Sequence, residues 1–96
     1  MDKKQKYIVR CDRSGVFYGE IAYRNGQEIC MENVRGLWYW RGAASLLELA
    51  KSGVKDPSNC KFTVSVDSIV LLDAIELLPC TPEAERNIDG VEEWKA

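Results

Sequence analysis

The chain has 96 residues, 46% apolar and 29% charged, and its 13 Lys and Arg stand against 15 Asp and Glu for a net charge of −2. This is the balance of one small folded domain spanning residues 1–96, not of a disordered chain, and such a surface does not attract phosphate backbones unless a local patch supplies the charge. Histidine is absent, which removes the commonest general base and the commonest zinc nitrogen ligand, so a non-enzymatic protein is expected.

Tyr7–Cys11 has the alternation of a short strand, ended by the turn residues Asp12-Arg-Ser-Gly15. Val16–Tyr23 forms a second strand, and Gly19 within it predicts a bulge or a close backbone approach. Asn25-Gly26 predicts a type I′ hairpin into a return strand over Glu28–Met31. Glu32-Asn33 interrupts the pattern, and Val34–Trp40 resumes it with Trp38 and Trp40 on one face and Arg35, Leu37 and Tyr39 on the other.

Gly42–Ser52 has helical spacing, with Gly53 as a left-handed stop. Cys60–Val66 alternates with Phe62, Val64 and Val66 inward, Asp67-Ser68 reads as a turn, and Ile69–Leu78 reads as one near-central strand with a bulge. Thr81 caps a last helix with Pro82 at its first position, Gly90 closes it, and Val91 and Trp94 dock the tail. The expected fold is α+β: a mostly antiparallel sheet of five or six strands, open and curled or partly closed as a barrel, with two short helices.

Cys11, Cys30, Cys60 and Cys80 include no C-x-x-C pair, so reduced thiols are expected, and a four-thiolate metal site is the alternative. The N-terminal Met-Asp-Lys-Lys-Gln-Lys lacks the apolar core of an export signal, and no run reaches membrane-spanning length. These features predict a cytoplasmic protein without membrane contact, metal or cofactor. Lys3, Lys4 and Lys6 read as a solvated terminus.

One stretch concentrates binding chemistry. Trp38-Tyr39-Trp40 is flanked by Arg35 and Arg41 and runs into Gly42-Ala43-Ala44. Large aromatics on a short chain often fill core volume, but Trp, Tyr and Arg are also the residues that anchor interfaces. A third reading sets the arginines and the amides of a helix start at Gly42 against phosphate, with a base stacked on an indole. Arg35, Trp38, Tyr39, Trp40, Arg41 and Gly42 are therefore the candidate ligand- or partner-binding residues. Asp67, Asp73 and Glu76 invite a carboxylate-pair reading, but the last two fall on opposite faces of a regular strand.

The run from Asn33 to Leu46, with Leu49-Ala50 and Gly53, resembles a motif of small uncharacterised phage and prophage proteins of about this length. Ala74-Ile-Glu-Leu-Leu-Pro-Cys-Thr81, then Ala84, Ile88 and Trp94, is similar to that family's C-terminal half. Tyr7–Arg10 and Gly15–Gly19 resemble its first hairpin. The resemblance implies a phage or prophage origin and expression in a bacterial host, and it carries no functional residue over. The expected role is a binding protein that blocks a host factor or sequesters a small nucleotide-like ligand, of a counter-defence type. The alternatives are a structural or accessory protein acting as a homo-oligomer, and a weak nucleic-acid binder.

Overall fold

Turn chemistry sets the first three strands. The computed structural model describes residues 4–96, so Lys3 lies outside the described residues. β1 (Lys6–Cys11), β2 (Val16–Asn25) and β3 (Glu28–Tyr39) form an antiparallel meander, with Asn25 paired to Glu28. The two loop residues are thus Gly26 and Gln27, and of these only Gly26 has positive φ, at 63°. That is the pattern of a type II′ turn rather than type I′, which needs positive φ at both central positions.

The interruption at Glu32-Asn33 is a bulge within one strand, not a break. Asn33 has φ 48°, and the pairing shifts register between Tyr18 and Glu20. Gly19 faces the bulge so closely that a Cβ there would lie 2.9 Å from the Asn33 carbonyl. This is the close backbone approach its sequence position predicts.

After β3 come α1 (Leu46–Ser52), a single 3-10 turn (Pro57–Asn59), β4 (Lys61–Phe62), β5 (Val66–Leu71), β6 (Ala74–Pro79) and α2 (Pro82–Asp89). The fold is α+β: a six-stranded antiparallel sheet with two short helices. The sheet curls but does not close, since β5 and β6 meet only at the Leu72-Asp73 corner and no ladder joins them.

Three sequence expectations are corrected. Cys60–Val66 is not one alternating strand: β4 and β5 both pair with β3 but are separated at Thr63–Ser65, and Val64 and Val66 are exposed. Thr63 N still donates to Gly36 O at 2.9 Å, but the Thr63 hydroxyl accepts the Gly36 N–H at 2.8 Å and the Arg35 guanidinium donates to the Phe62 and Thr63 carbonyls, so side chains take over the rest of the ladder there. Asp67-Ser68 lies within β5, with Ser68 opposite Glu32. Ile69–Leu78 is two strands, β5 against β3 and β6 against β1, because Asp73 turns the chain.

The Asp73 carboxylate accepts Arg13 N at 2.7 Å, Ser14 N at 3.1 Å and the Ser14 hydroxyl at 2.7 Å, tying this corner to the β1–β2 turn.

Successive residues of the strands serve two cores, as side-chain alternation requires. Ile8, Tyr18, Leu37 and Phe62 pack under the helices with Leu49, Ala84 and Ile88. Val9, Ile29, Met31, Val34 and Leu71 pack on the other face of the sheet. Thr81 accepts Ala84 N as the α2 cap, and α2 buries Ala84 and Ile88, as the Thr-Pro start and helical spacing predict. Among the described residues, no helix is long and apolar enough to cross a membrane.

Candidate functional site

Alternation along the end of β3 sends neighbouring residues of the aromatic stretch to different places. Arg35 goes inside: it is 6% exposed, and its guanidinium donates to Thr63 O at 3.1 Å, Phe62 O at 3.2 Å, Ile88 O at 3.0 Å and Val91 O at 2.9 Å. Burial lowers its pKa, while Glu93 and Asp89 oppose the shift. A cation among the carbonyls at the end of α2 also complements the helix dipole. Arg35 is therefore a clamp between β3, β4 and the C-terminal segment, not a surface arginine flanking the tryptophans.

Trp38 points outward and is 66% exposed, Tyr39 is 44% exposed, and Trp40 is half-buried against the helix-side core. The two tryptophans expected on one face do line one cleft, with Gly36, Leu37 and Thr63, but Trp40 is the more buried, because β3 ends at Tyr39 and regular alternation ends with it. Arg41 is exposed, and among the described residues its guanidinium has no hydrogen-bond or ion-pair partner.

Gly42 does not begin the helix. It has φ 92°, and a Cβ there would lie 2.5 Å from Lys55 N. Ser45 is the cap: its hydroxyl accepts Glu48 N at 3.1 Å, while the Glu48 carboxylate accepts Ala44 N at 2.9 Å. The chain's own carboxylate thus occupies the amide that the phosphate reading assigned to a ligand, and α1 has only seven residues.

Two residues outside the candidate set complete the surface. The tail after α2 runs beside β4, with Glu93 bridged to Phe62 and Trp94 N donating to Phe62 O at 2.8 Å. This sets Trp94 on Trp38, with ring centroids 5.1 Å apart and planes inclined by 20°. Lys61, on the face of β4 opposite the buried Phe62, holds its Nζ 5.3 Å from the Trp38 centroid and 5.5 Å from that of Trp94. Strand alternation gave the outward direction of Lys61, but nothing in the sequence pairs residue 94 with residue 38.

The remaining candidates for chemistry are satisfied locally. Glu76 pairs with Arg10 at 2.6 Å and Asp73 caps the β1–β2 turn, so the carboxylates do not converge. The Ser14 hydroxyl and the Arg13 amide hold the Asp73 carboxyl below its ordinary range. The cysteines are dispersed: Cys11 lies in one core and Cys60 and Cys80 in the other. Burial pushes the Cys11 thiol up to about 11 and the Cys80 thiol to about 12, which suits inert core thiols. No group of three His, Cys, Asp or Glu among the described residues could hold a metal ion. Lys4 lies 3.8 Å from Glu32, and Lys6 pairs with Asp89 at 2.9 Å, so these two terminal lysines make local ion pairs.

Fold and surface together define a small α+β protein with an open aromatic–cationic face. The chain belongs to the family described as "Domain of unknown function (DUF6948)", whose model matches residues 4–88. Trp38, Lys61 and Arg41 lie within the matched span, and Trp94 lies beyond it. No curated protein and no solved structure matches the chain.

Proposed function

We propose that the protein is a non-enzymatic binding protein whose contact surface is the Trp38–Trp94 pair with Lys61, Tyr39 and Arg41. The observation that carries this reading is the indole stack. Two large rings are fixed against each other by the fold yet remain 66% and 45% exposed. Exposed aromatic area beside cations is typical of interface anchors, and burying it against a partner recovers free energy that the isolated fold leaves unused.

The resemblance to small phage and prophage proteins supports an infected bacterial cytoplasm as the setting. There the protein occupies a host factor or sequesters a small ligand, which is a counter-defence type of role.

Purifying the chain and its Trp38→Ala variant from bacterial cells, followed by native mass spectrometry, tests the reading. The parent is expected to retain a partner or ligand mass that the variant loses while the variant stays folded at the purification temperature. Identical bound species in both would refute this surface.

A second reading, homo-oligomerisation, draws on a different face. Val66, Val70, Leu72, Ile75 and Leu77 are exposed on β5, β6 and the corner between them, and among the described residues each of these strands has one edge without a partner strand. Light scattering at the mass of a dimer, reverting to monomer in Leu72→Asp, would support it; a parent at monomer mass would exclude it.

A further inference from the structure

Beside the indole pair, the chain leaves a cleft of about 390 Å³ lined by Tyr39, Arg41, Ser58, Asn59, Lys61 and Trp94, next to the buried Cys60. This is within the size range of small-molecule sites, which begins near about 300 Å³.

Its lining combines three kinds of group. Trp94 and Tyr39 bring aromatic rings, and Trp94 is braced from behind because Trp38 covers one of its faces. Arg41 and Lys61 bring two positive charges, and the lining contains no carboxylate. Among the described residues neither cation has an ion pair, and the Lys61 ammonium lies 5.3 and 5.5 Å from the two indole centroids. Asn59 brings an acceptor: its Nδ2 donates to both Asp56 carboxylate oxygens, at 3.0 and 2.9 Å, which fixes the amide and leaves Oδ1 without a donor among the described residues. Asp56, the nearby acid, is occupied by that contact and by the Ser58 hydroxyl at 3.4 Å.

A ligand that uses all three must join a flat aromatic ring system to an anionic group. Simple phosphate would use the cations and leave the rings idle, and an apolar peptide would cover the cations without satisfying them. A heteroaromatic base linked to phosphate uses everything: stacking for the ring, charge-assisted hydrogen bonds for the phosphate, and an amide acceptor for a base N–H. We infer that this cleft binds a nucleotide, with its base stacked on Trp94 and its phosphate held between Arg41 and Lys61. The inference rests on the binding role proposed above and names the ligand class. Nothing in the net charge of −2 opposes it, because the two cations act locally.

Calorimetric titration of the full chain with AMP, a ten-residue oligothymidylate and inorganic phosphate tests it. AMP or the oligonucleotide should bind, and inorganic phosphate should bind far more weakly. Trp94→Ala should weaken binding roughly 5- to 150-fold, the span of base–aromatic stacking. Arg41→Ala, at an exposed position, should weaken it too while leaving the thermal melt unchanged. For the oligonucleotide, the slope of log affinity against log salt should become shallower by about 0.7 in Arg41→Ala, the loss of one phosphate contact. Equal affinity for AMP and the oligonucleotide identifies a free nucleotide as the ligand, and a gain with strand length identifies single-stranded nucleic acid.

The inference is overturned if neither nucleotide probe binds at millimolar concentration, if phosphate binds as tightly as AMP, or if both variants bind like the parent. Should the probes fail while a co-purified mass still disappears in Trp38→Ala, the nucleotide is wrong and the binding surface stands.

Discussion

Replacing Arg35 with methionine removes the guanidinium while keeping much of the apolar stem. Four carbonyls, on Phe62, Thr63, Ile88 and Val91, then lose donors at 2.9 to 3.2 Å, and the contact of the guanidinium with the Phe62 ring, 5.6 Å from its centroid, goes with them. Two of these carbonyls, Thr63 O and Val91 O, are left with no donor among the described residues, and at about 1–3 kcal/mol each the cost is about 2–6 kcal/mol. The lower half of that range is expected here. Phe62 O keeps the Trp94 N–H and Ile88 O keeps the Val91 N–H, and Arg35 borders a cleft of about 300 Å³, shared with Lys6, Tyr18 and Asp89, through which water can enter. A loss of about 3 kcal/mol corresponds to a Tm lower by about 12–24 °C for a domain of this size. Urea denaturation followed by tryptophan fluorescence measures it directly. Arg35→Lys should fall between parent and Met variant, because an ammonium presents its donors from one point and cannot span carbonyls from three segments. A cost below about 1 kcal/mol for the Met variant, the worth of a single ordinary hydrogen bond, would refute the clamp.

Three further outcomes follow from local geometry. Gly53→Ala would place a Cβ 2.3 to 2.6 Å from the Asn87 side chain, which holds Val54 through two 2.8 Å bonds, so overpacking of about 1–3 kcal/mol adds to backbone strain at φ 78°. Gly26→Ala, with φ 63° and open space, should cost only the strain, about 1–2 kcal/mol, and equal urea midpoints for the two variants would contradict the packing argument. Asp73 has a depressed folded pKa, so its contribution to stability is present above the unfolded value and is lost as pH falls through the folded one. The parent's Tm should therefore drop more steeply than that of Asp73→Asn below about pH 4, and superimposable profiles would rule this out. Trp40→Ala should cost about 2 kcal/mol, roughly half the penalty of a fully buried ring, against about 1 kcal/mol or less for Trp38→Ala; the reverse order in urea would invert the assignment of the two indoles.

Local chemistry was legible in the sequence where a short stretch decides the outcome. The Thr81-Pro82 start of α2, the hairpin at Gly26, the close approach at Gly19 and the stop at Gly53 each depend on a few neighbouring residues, and each stands where the pattern puts it. Periodicity failed where distant partners compete with it. Val64 and Val66 have the spacing of inward residues, but Arg35, nearly thirty positions earlier, captures the Phe62 and Thr63 carbonyls and breaks the strand before them. The apolar run Ile69–Leu78 is long enough for one strand, yet Asp73 finds the Arg13 and Ser14 amides and the hydroxyl of Ser14, and the chain turns there. Of the candidate surface, Trp38, Tyr39 and Arg41 are open to solvent. Trp94 was out of reach of any pattern, because its place depends on the path of the tail.

That path explains how Arg35 and Trp38 belong to one surface although they point opposite ways. Strand alternation sends Arg35 inward, where two of its hydrogen bonds go to Ile88 O at the end of α2 and to Val91 O just after it, and a third goes to Phe62 O in β4. The same Phe62 carbonyl accepts Trp94 N, so the clamp and the tail share an atom. The guanidinium thus fixes where the chain leaves α2 and the strand beside which it runs, and only then can Trp94 lie 5.1 Å from Trp38. Arg35 is therefore a positioning residue for the indole pair. Its loss should open the Trp38–Trp94 stack before it unfolds the sheet, because its hydrogen bonds go to Phe62, Thr63, Ile88 and Val91 and none goes to β1, β2 or the core under Val9 and Met31. Near-ultraviolet circular dichroism would register the loss of indole coupling in Arg35→Lys at temperatures where the far-ultraviolet strand signal is still that of the parent. Simultaneous loss of both signals would show that the clamp holds the whole fold and not the surface in particular.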